Sequence, residues 1–118
     1  MRLNAVTVGT SHPKMLAEFY ARLLGTVPAE VDEDWALVRT PGGMAVNFEL
    51  ERQFRPPVWP SEPGSQVATQ HLDIEVDDLG AATAHAVACG AVLAEVQPQQ
   101  DVRVLFDPDG HPFCLFLG

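Results

Sequence analysis

The chain predicts an α+β fold in which two βαβββ modules pair into a curved mixed sheet around a cup-shaped cavity, with the helices outside. Three observations carry this reading. The order strand, helix and three further strands occurs twice along the 118 residues. Strand-like alternation gives way to helical spacing and returns within each half. Finally, Pro41-Gly42-Gly43-Met44-Ala45-Val46-Asn47-Phe48 matches Pro108-Asp109-Gly110-His111-Pro112-Phe113-Cys114-Leu115 without a gap when Gly43 is set on Gly110.

In the first half, Arg2 to Thr10 reads as a strand, with Leu3, Val6 and Val8 partly alternating with smaller or polar residues. A helix follows: Pro13 suits its first position, Ser11 or His12 its cap, and Met15, Leu16, Phe19 and Leu23 recur at helical spacing until Leu24-Gly25 stops the run. Extended pieces are expected near Val27 to Val31, over Trp35 to Arg39 and over Met44 to Leu50. Thr40-Pro41-Gly42-Gly43 joins the last two, with proline and glycine at the positions favoured in a type II turn.

The second half opens on His71-Leu72-Asp73-Ile74-Glu75-Val76, alternating as in a half-buried strand. Asp77 or Asp78 can cap the next helix, whose Leu79, Ala82, Ala86 and Cys89 line one face before Gly90 ends it. Strands are then expected over Val92 to Val96, Val102 to Phe106 and Pro112 to Leu117, the last two joined by Asp107-Pro108-Asp109-Gly110 as a type I turn. Between the halves, Glu51 to Ala68 holds Pro56, Pro57, Pro60, Pro63 and Gly64, too much proline for regular structure. Phe54, Val58 and Trp59 nevertheless indicate that it packs down. The organisation is therefore one domain over residues 1–118: module one 1–50, linker 51–68 and module two 69–118.

Composition narrows the function. Apolar residues make up 47% and charged residues 19%, ordinary for a globular chain of this length. A formal charge of −9, from 16 acidic and 7 basic residues, repels phosphate backbones and anionic membrane surfaces, so neither nucleic acid nor membrane is an expected partner. No apolar run reaches the roughly 18 residues that cross a bilayer, and Met1-Arg2-Leu3-Asn4 lacks a signal peptide's apolar core, so a cytoplasmic location is expected. Cys89 and Cys114 fit no metal-knuckle spacing and read as free thiols.

Four segments carry a family resemblance. They are Leu16-Ala17-Glu18-Phe19-Tyr20 through Leu24-Gly25, Pro57-Val58-Trp59-Pro60, Gln70-His71-Leu72-Asp73-Ile74-Glu75-Val76-Asp77-Asp78-Leu79, and Asp107-Pro108-Asp109-Gly110-His111-Pro112-Phe113-Cys114. In this order they resemble the vicinal oxygen chelate superfamily, the glyoxalase, bleomycin-resistance and dioxygenase group, and within it the glyoxalase-like subgroup. The resemblance spans essentially the whole chain. It implies a homodimer, and it implies a divalent metal held from four strand positions, which fall here on Ala5, Asn47, His71 and Cys114. Common sites of this type use two imidazoles and a carboxylate. Ala5 has no donor, Asn47 offers a weak amide oxygen, and Cys114 would have to become a thiolate, so no metal or other cofactor is expected. If an ion does bind, His71 and Cys114 are its ligands, completed by Asn47 or water, without a third good donor.

The residues expected to touch a small-molecule ligand are His71, Asn47, Cys114, Trp35, Trp59, Phe48, Phe113 and Arg103. Each has a plainer alternative. His71 can be a hydrogen-bonded histidine on a pocket wall, and Cys114 between two apolar residues a small hydrophobe with a raised pKa. The tryptophans and phenylalanines can be core, and Arg103 anchors an acidic or carbonyl-bearing ligand only if its side chain points inward. His12, His85 and His111 read as structural or solvated. Asp73 and Glu75 share a strand face, but no carboxylate pair is spaced for acid and base work. The first functional reading is a protein that binds a small, largely apolar molecule in a central cavity without the family's full metal site. An enzyme, metal-dependent or using His71 as acid or base, and a dimeric interaction module are the alternatives.

Overall fold

Two hairpin turns with the same hydrogen bonds stand at the same place in each half of the chain. In the computed structural model, which describes residues 1–118, Gly43 N–H donates to Thr40 O and Thr40 N–H to Met44 O, both at 3.0 Å. In the second half, Gly110 N–H donates to Asp107 O and Asp107 N–H to His111 O, both at 2.9 Å. The left-handed residue is the fourth of each turn, Gly43 at φ +97° and Gly110 at φ +96°. A type II turn would instead need positive φ at Gly42. Both turns are thus the type I form closed by a left-handed glycine, whose twist suits the flanking strands.

Around these turns the elements are β1 (Ala5–Thr10), α1 (Pro13–Leu24), β2 (Glu30–Val31), β3 (Trp35–Arg39) and β4 (Ala45–Leu50), then β5 (Leu72–Val76), α2 (Leu79–Cys89), β6 (Val92–Leu93), β7 (Val102–Phe106) and β8 (Pro112–Leu117). Each module forms one four-stranded mixed sheet, ordered β1-β4-β3-β2 in the first and β5-β8-β7-β6 in the second. In both, the first strand runs parallel to the last, and the remaining pairings are antiparallel. The fold is therefore α+β, built of two βαβββ modules. Compact units divide at Phe54, so most of the linker belongs with module two.

Strand ends differ from the sequence reading for identifiable reasons. β1 begins at Ala5 because its partner begins at Ala45. The equivalent partner of His71 is Pro112, which has no N–H to give, and so β5 begins one residue later, at Leu72 opposite Phe113. β2 is limited to Glu30–Val31, preceded by Ala29 N–H donating to Leu37 O and then by Pro28. β6 stops at Leu93 because the Gln97 carboxamide enters the ladder. Its Oε1 accepts from Val104 N–H at 2.9 Å, and its Nε2 donates to Ala94 O and Val104 O, each at 2.9 Å.

The helices begin and end by different devices. Pro13 opens α1 after His12, which contributes backbone but no side-chain cap bond, and Gly25 at φ +73° closes it. Asp78, not Asp77, caps α2, its Oδ1 accepting from Ala81 N–H at 2.9 Å. In module one, α1 buries Leu16, Phe19 and Tyr20 against the sheet, where Val38, Val46 and Phe48 are themselves buried. Tyr20 stacks on Phe48 at 5.5 Å between ring centroids. In module two α2 is alanine-rich, and only Ala86 is fully buried along it. It packs on β6, β7 and β8, whose core side chains include Leu105, Phe113 and Leu115.

The glycine turns yield a graded prediction. Gly43→Ala meets no atom within 4 Å of its new Cβ and carries only the strain of a left-handed backbone, about 1–2 kcal/mol. The Cβ of Gly110→Ala would stand 2.8 Å from Pro56 Cβ, where the linker packs on the turn. Urea denaturation should show both variants destabilised, with Gly110→Ala the worse of the two.

Candidate functional site

Register decides which side chains each module buries and which it leaves on its open face. The Tyr20 stack marks the Phe48 side of β4 as the face that α1 covers. Asn47, one residue away, points to the other side. Its register partners are Thr7 on β1 and Leu37 on β3, and Trp35 stands two residues from Leu37 on that same face. Asn47 Nδ2 donates to Thr7 Oγ1 at 3.4 Å, while Asn47 Oδ1 is buried without a hydrogen-bond partner.

Module two repeats this backbone with different chemistry. Cys114 occupies the place of Asn47, Asp73 that of Thr7, and His71 that of Ala5, because Asp73 is the register partner of Cys114 and His71 lies two residues before it. His71 Nε2 is 3.2 Å from Asp73 Oδ1, with both side chains about half exposed. The imidazole nitrogen, carboxylate oxygen and thiol sulfur all lie within 4.8 Å of one another. Burial pushes the Cys114 thiol pKa up, and the negative charge of Asp73 and a hydrogen bond to its carboxylate push the same way. The free thiol is accordingly a poor nucleophile at neutral pH.

Asp73 was not among the residues selected from sequence, although its spacing from His71 and the alignment of Cys114 with Asn47 locate it. The other expected ligand contacts separate. Phe48 and Phe113 are fully buried on the helix-covered faces and belong to the core. Arg103 pairs with Leu115, which turns it to the face opposite Cys114. Its Nη1 donates to the carbonyls of Gln99, Gln100 and Val102, which ties it to the preceding loop. Trp59 is half-buried in the segment that packs with module two. His111 donates from Nδ1 to the buried Asp107 carboxylate at 2.9 Å, bracing the turn.

The family's metal pattern does not fit at its four positions. Ala5, Asn47, His71 and Cys114 provide a methyl, an amide, an imidazole and a thiol, whereas the pattern asks for two imidazoles and a carboxylate. The nearest carboxylate, Asp73, stands at a fifth position.

The thiol environment can be tested chemically in a Cys89→Ser background, where only Cys114 reacts. Asp73→Asn removes the charge that, after burial itself, helps to hold the proton on sulfur. The thiolate fraction then rises at any given pH, so iodoacetamide should alkylate Cys114 faster, with the rate profile displaced to lower pH. For stability the sign is opposite to that of a paired carboxylate. With its folded pKa raised, Cys114 contributes nothing pH-dependent below the ordinary thiol range and loses stabilisation as pH rises through the folded value.

Comparison with known proteins places the chain in a family. No protein of curated function matches it in sequence. Among solved structures, it is similar to a glyoxalase/bleomycin resistance protein/dioxygenase family enzyme from Burkholderia phytofirmans PsJN (TM-score 0.73, 17% identity, covering 98% of this chain and 97% of that one). A possible glyoxalase from Bacillus cereus superposes with a TM-score of 0.73 at 11% identity, covering 98% of each chain. A glyoxalase/bleomycin resistance protein from Albidiferax ferrireducens T118 gives 0.66 at 20% identity, covering 98% of this chain and 97% of that one. At these identities the likeness concerns the fold. The model of the glyoxalase-like domain, however, matches residues 5–116, and the chain belongs to that family.

Proposed function

We propose that this glyoxalase-like protein binds and sequesters a small, largely apolar molecule without the family's four-position metal site; among the proteins of similar fold are ones named glyoxalase/bleomycin resistance protein. One observation carries the reading: Asn47 Oδ1 is buried without a partner on the open face of module one. A buried acceptor left unpaired costs about 1–3 kcal/mol, and a turn of the Asn47 amide that brings Oδ1 to a ligand's donor would relieve that cost. Trp35 and Leu37 beside it supply apolar surface for the rest of such a molecule. By itself, module two also carries apolar side chains on its open face, Val102, Val104 and Phe116, which share the face of Cys114. The net charge of −9 disfavours polyanionic partners, and no helix is long and apolar enough to cross a membrane. We place the protein in the cytoplasm as a homodimer, a state that light scattering can measure.

A second reading has one observation in its favour. Asp73 Oδ1 lies 3.2 Å from His71 Nε2 and can fix the ring's orientation, as an enzyme using His71 for acid or base work would require. Glyoxalase- or dioxygenase-type turnover that persisted in His71→Ala would eliminate it.

The binding reading is tested by thermal denaturation against a panel of bulky apolar compounds carrying a single donor, bleomycin among them. Saturation at about a hundredfold above Kd corresponds to roughly 2.7 kcal/mol of stabilisation. A binding compound should lose up to about tenfold in affinity in Asn47→Ala, the worth of one hydrogen bond, and should quench tryptophan fluorescence less in Trp35→Phe. A panel without any stabilising compound, or affinity indifferent to both substitutions, would defeat the proposal.

A further inference from the structure

We infer that module two holds a single zinc ion through His71 Nε2, the Asp73 carboxylate and Cys114 Sγ. This site lies within one module: it keeps His71 and Cys114, two of the four positions that the resemblance implies, and takes as its third donor Asp73, which stands outside them. It does not depend on the small-molecule reading above. It also revises the expectation of no cofactor, which weighed Ala5, Asn47, His71 and Cys114 and found no third good donor beside His71 and Cys114.

The geometry comes from the backbone. Parallel pairing of β5 with β8 sets Asp73 directly beside Cys114, and the two-residue period brings His71 to the same face. The three donor atoms lie within 4.8 Å of one another, with the nitrogen and oxygen already at 3.2 Å. Zinc bonds of about 2.0–2.3 Å separate tetrahedral donors by roughly 3.3–3.8 Å. Closing the remaining gap takes side-chain rotation of about an ångström, which half-exposed His71 and Asp73 can make without moving a strand.

Charge favours a dication. Asp73 and Glu75 both lie on this face and are exposed, and β5, β7 and β8 contain one basic residue between them, Arg103, which is turned to the opposite face. Nor is the cluster a by-product of the fold. The same three places in module one hold Ala5, Thr7 and Asn47, which offer neither charge nor thiol. A thiolate, imidazole and carboxylate set selects zinc over calcium or magnesium, and three protein donors leave the fourth tetrahedral position to water or a ligand oxygen.

The test uses the full chain, reduced and freed of metal, titrated with zinc against a chromophoric chelator and separately with cobalt(II). One equivalent should bind, and cobalt should give a near-ultraviolet sulfur-to-metal charge-transfer band that Cys114→Ser abolishes. His71→Ala and Asp73→Asn should each weaken zinc at least tenfold. Cys89→Ser and His85→Ala, which alter this module's second thiol and the imidazole beside it, should leave both readouts unchanged. Circular dichroism of each variant confirms that the fold is retained. Absence of stoichiometric binding by the wild-type chain, undiminished affinity in Asp73→Asn, or a cobalt band that follows Cys89 would each overturn the inference. Because no apolar compound is present, failure here is distinguishable from failure of the small-molecule reading.

Discussion

Everything chemical in this protein depends on the phase of the last strand of each module relative to the first. In β4, large apolar side chains alternate with small or polar ones, in β8 the reactive Cys114 stands between the buried Phe113 and Leu115, and the turn closed by a left-handed glycine delivers each strand into its parallel pairing. A slip of one residue would turn Phe48 and Leu115 out and carry Asn47 and Cys114 under the helices. Exposing a buried phenylalanine forfeits roughly 1.5–3 kcal/mol, and inserting an amide or thiol into its place adds a desolvation cost. The packing of Tyr20 on Phe48 therefore holds the neighbouring Asn47 on the open face as firmly as it holds the core together.

The two modules use that shared frame for different ends. Module one packs its sheet with a helix of large residues, Leu16, Phe19 and Tyr20, and presents an alanine, a threonine and an asparagine at the three corresponding positions. Module two packs with small residues along α2 and presents a histidine, an aspartate and a cysteine. The linker's Pro56 lies against Gly110, so the second turn is constrained by a neighbour that the first turn lacks. One backbone has thus been given two surfaces, one nearly neutral and one rich in donors.

The fold was legible because its signals are local and repeated. Proline at the start of α1, glycine after each helix, and the aligned turns each act over a few residues, and every expected element is present. Side-chain direction was less legible. Arg103 could be read as facing either way from sequence, and only its pairing with Leu115 settles that it serves the loop before it. Phe48 and Phe113 carry the composition of a ligand wall, but alternation in an established register makes them core. Asp73, set beside Glu75 on one strand face, carries no site reading from sequence for the converse reason. It belongs to an alternating run whose polar residues read as ordinary solvent-facing positions, and its meaning comes from Cys114, 41 residues later and adjacent only through the parallel ladder. The short β6 likewise required knowing that a glutamine side chain would take the bonds of the missing strand residues.

That glutamine has a consequence at the sheet's rim. An unpaired strand edge is a template on which another polypeptide can add, and such edges drive unwanted association. Here the outermost strand is only two residues long, and beyond it the Val104 peptide group is already engaged on both sides by the Gln97 carboxamide. A foreign strand finds little backbone left to bond along this border, so a side chain that looks like a local irregularity also guards against fibrous self-association.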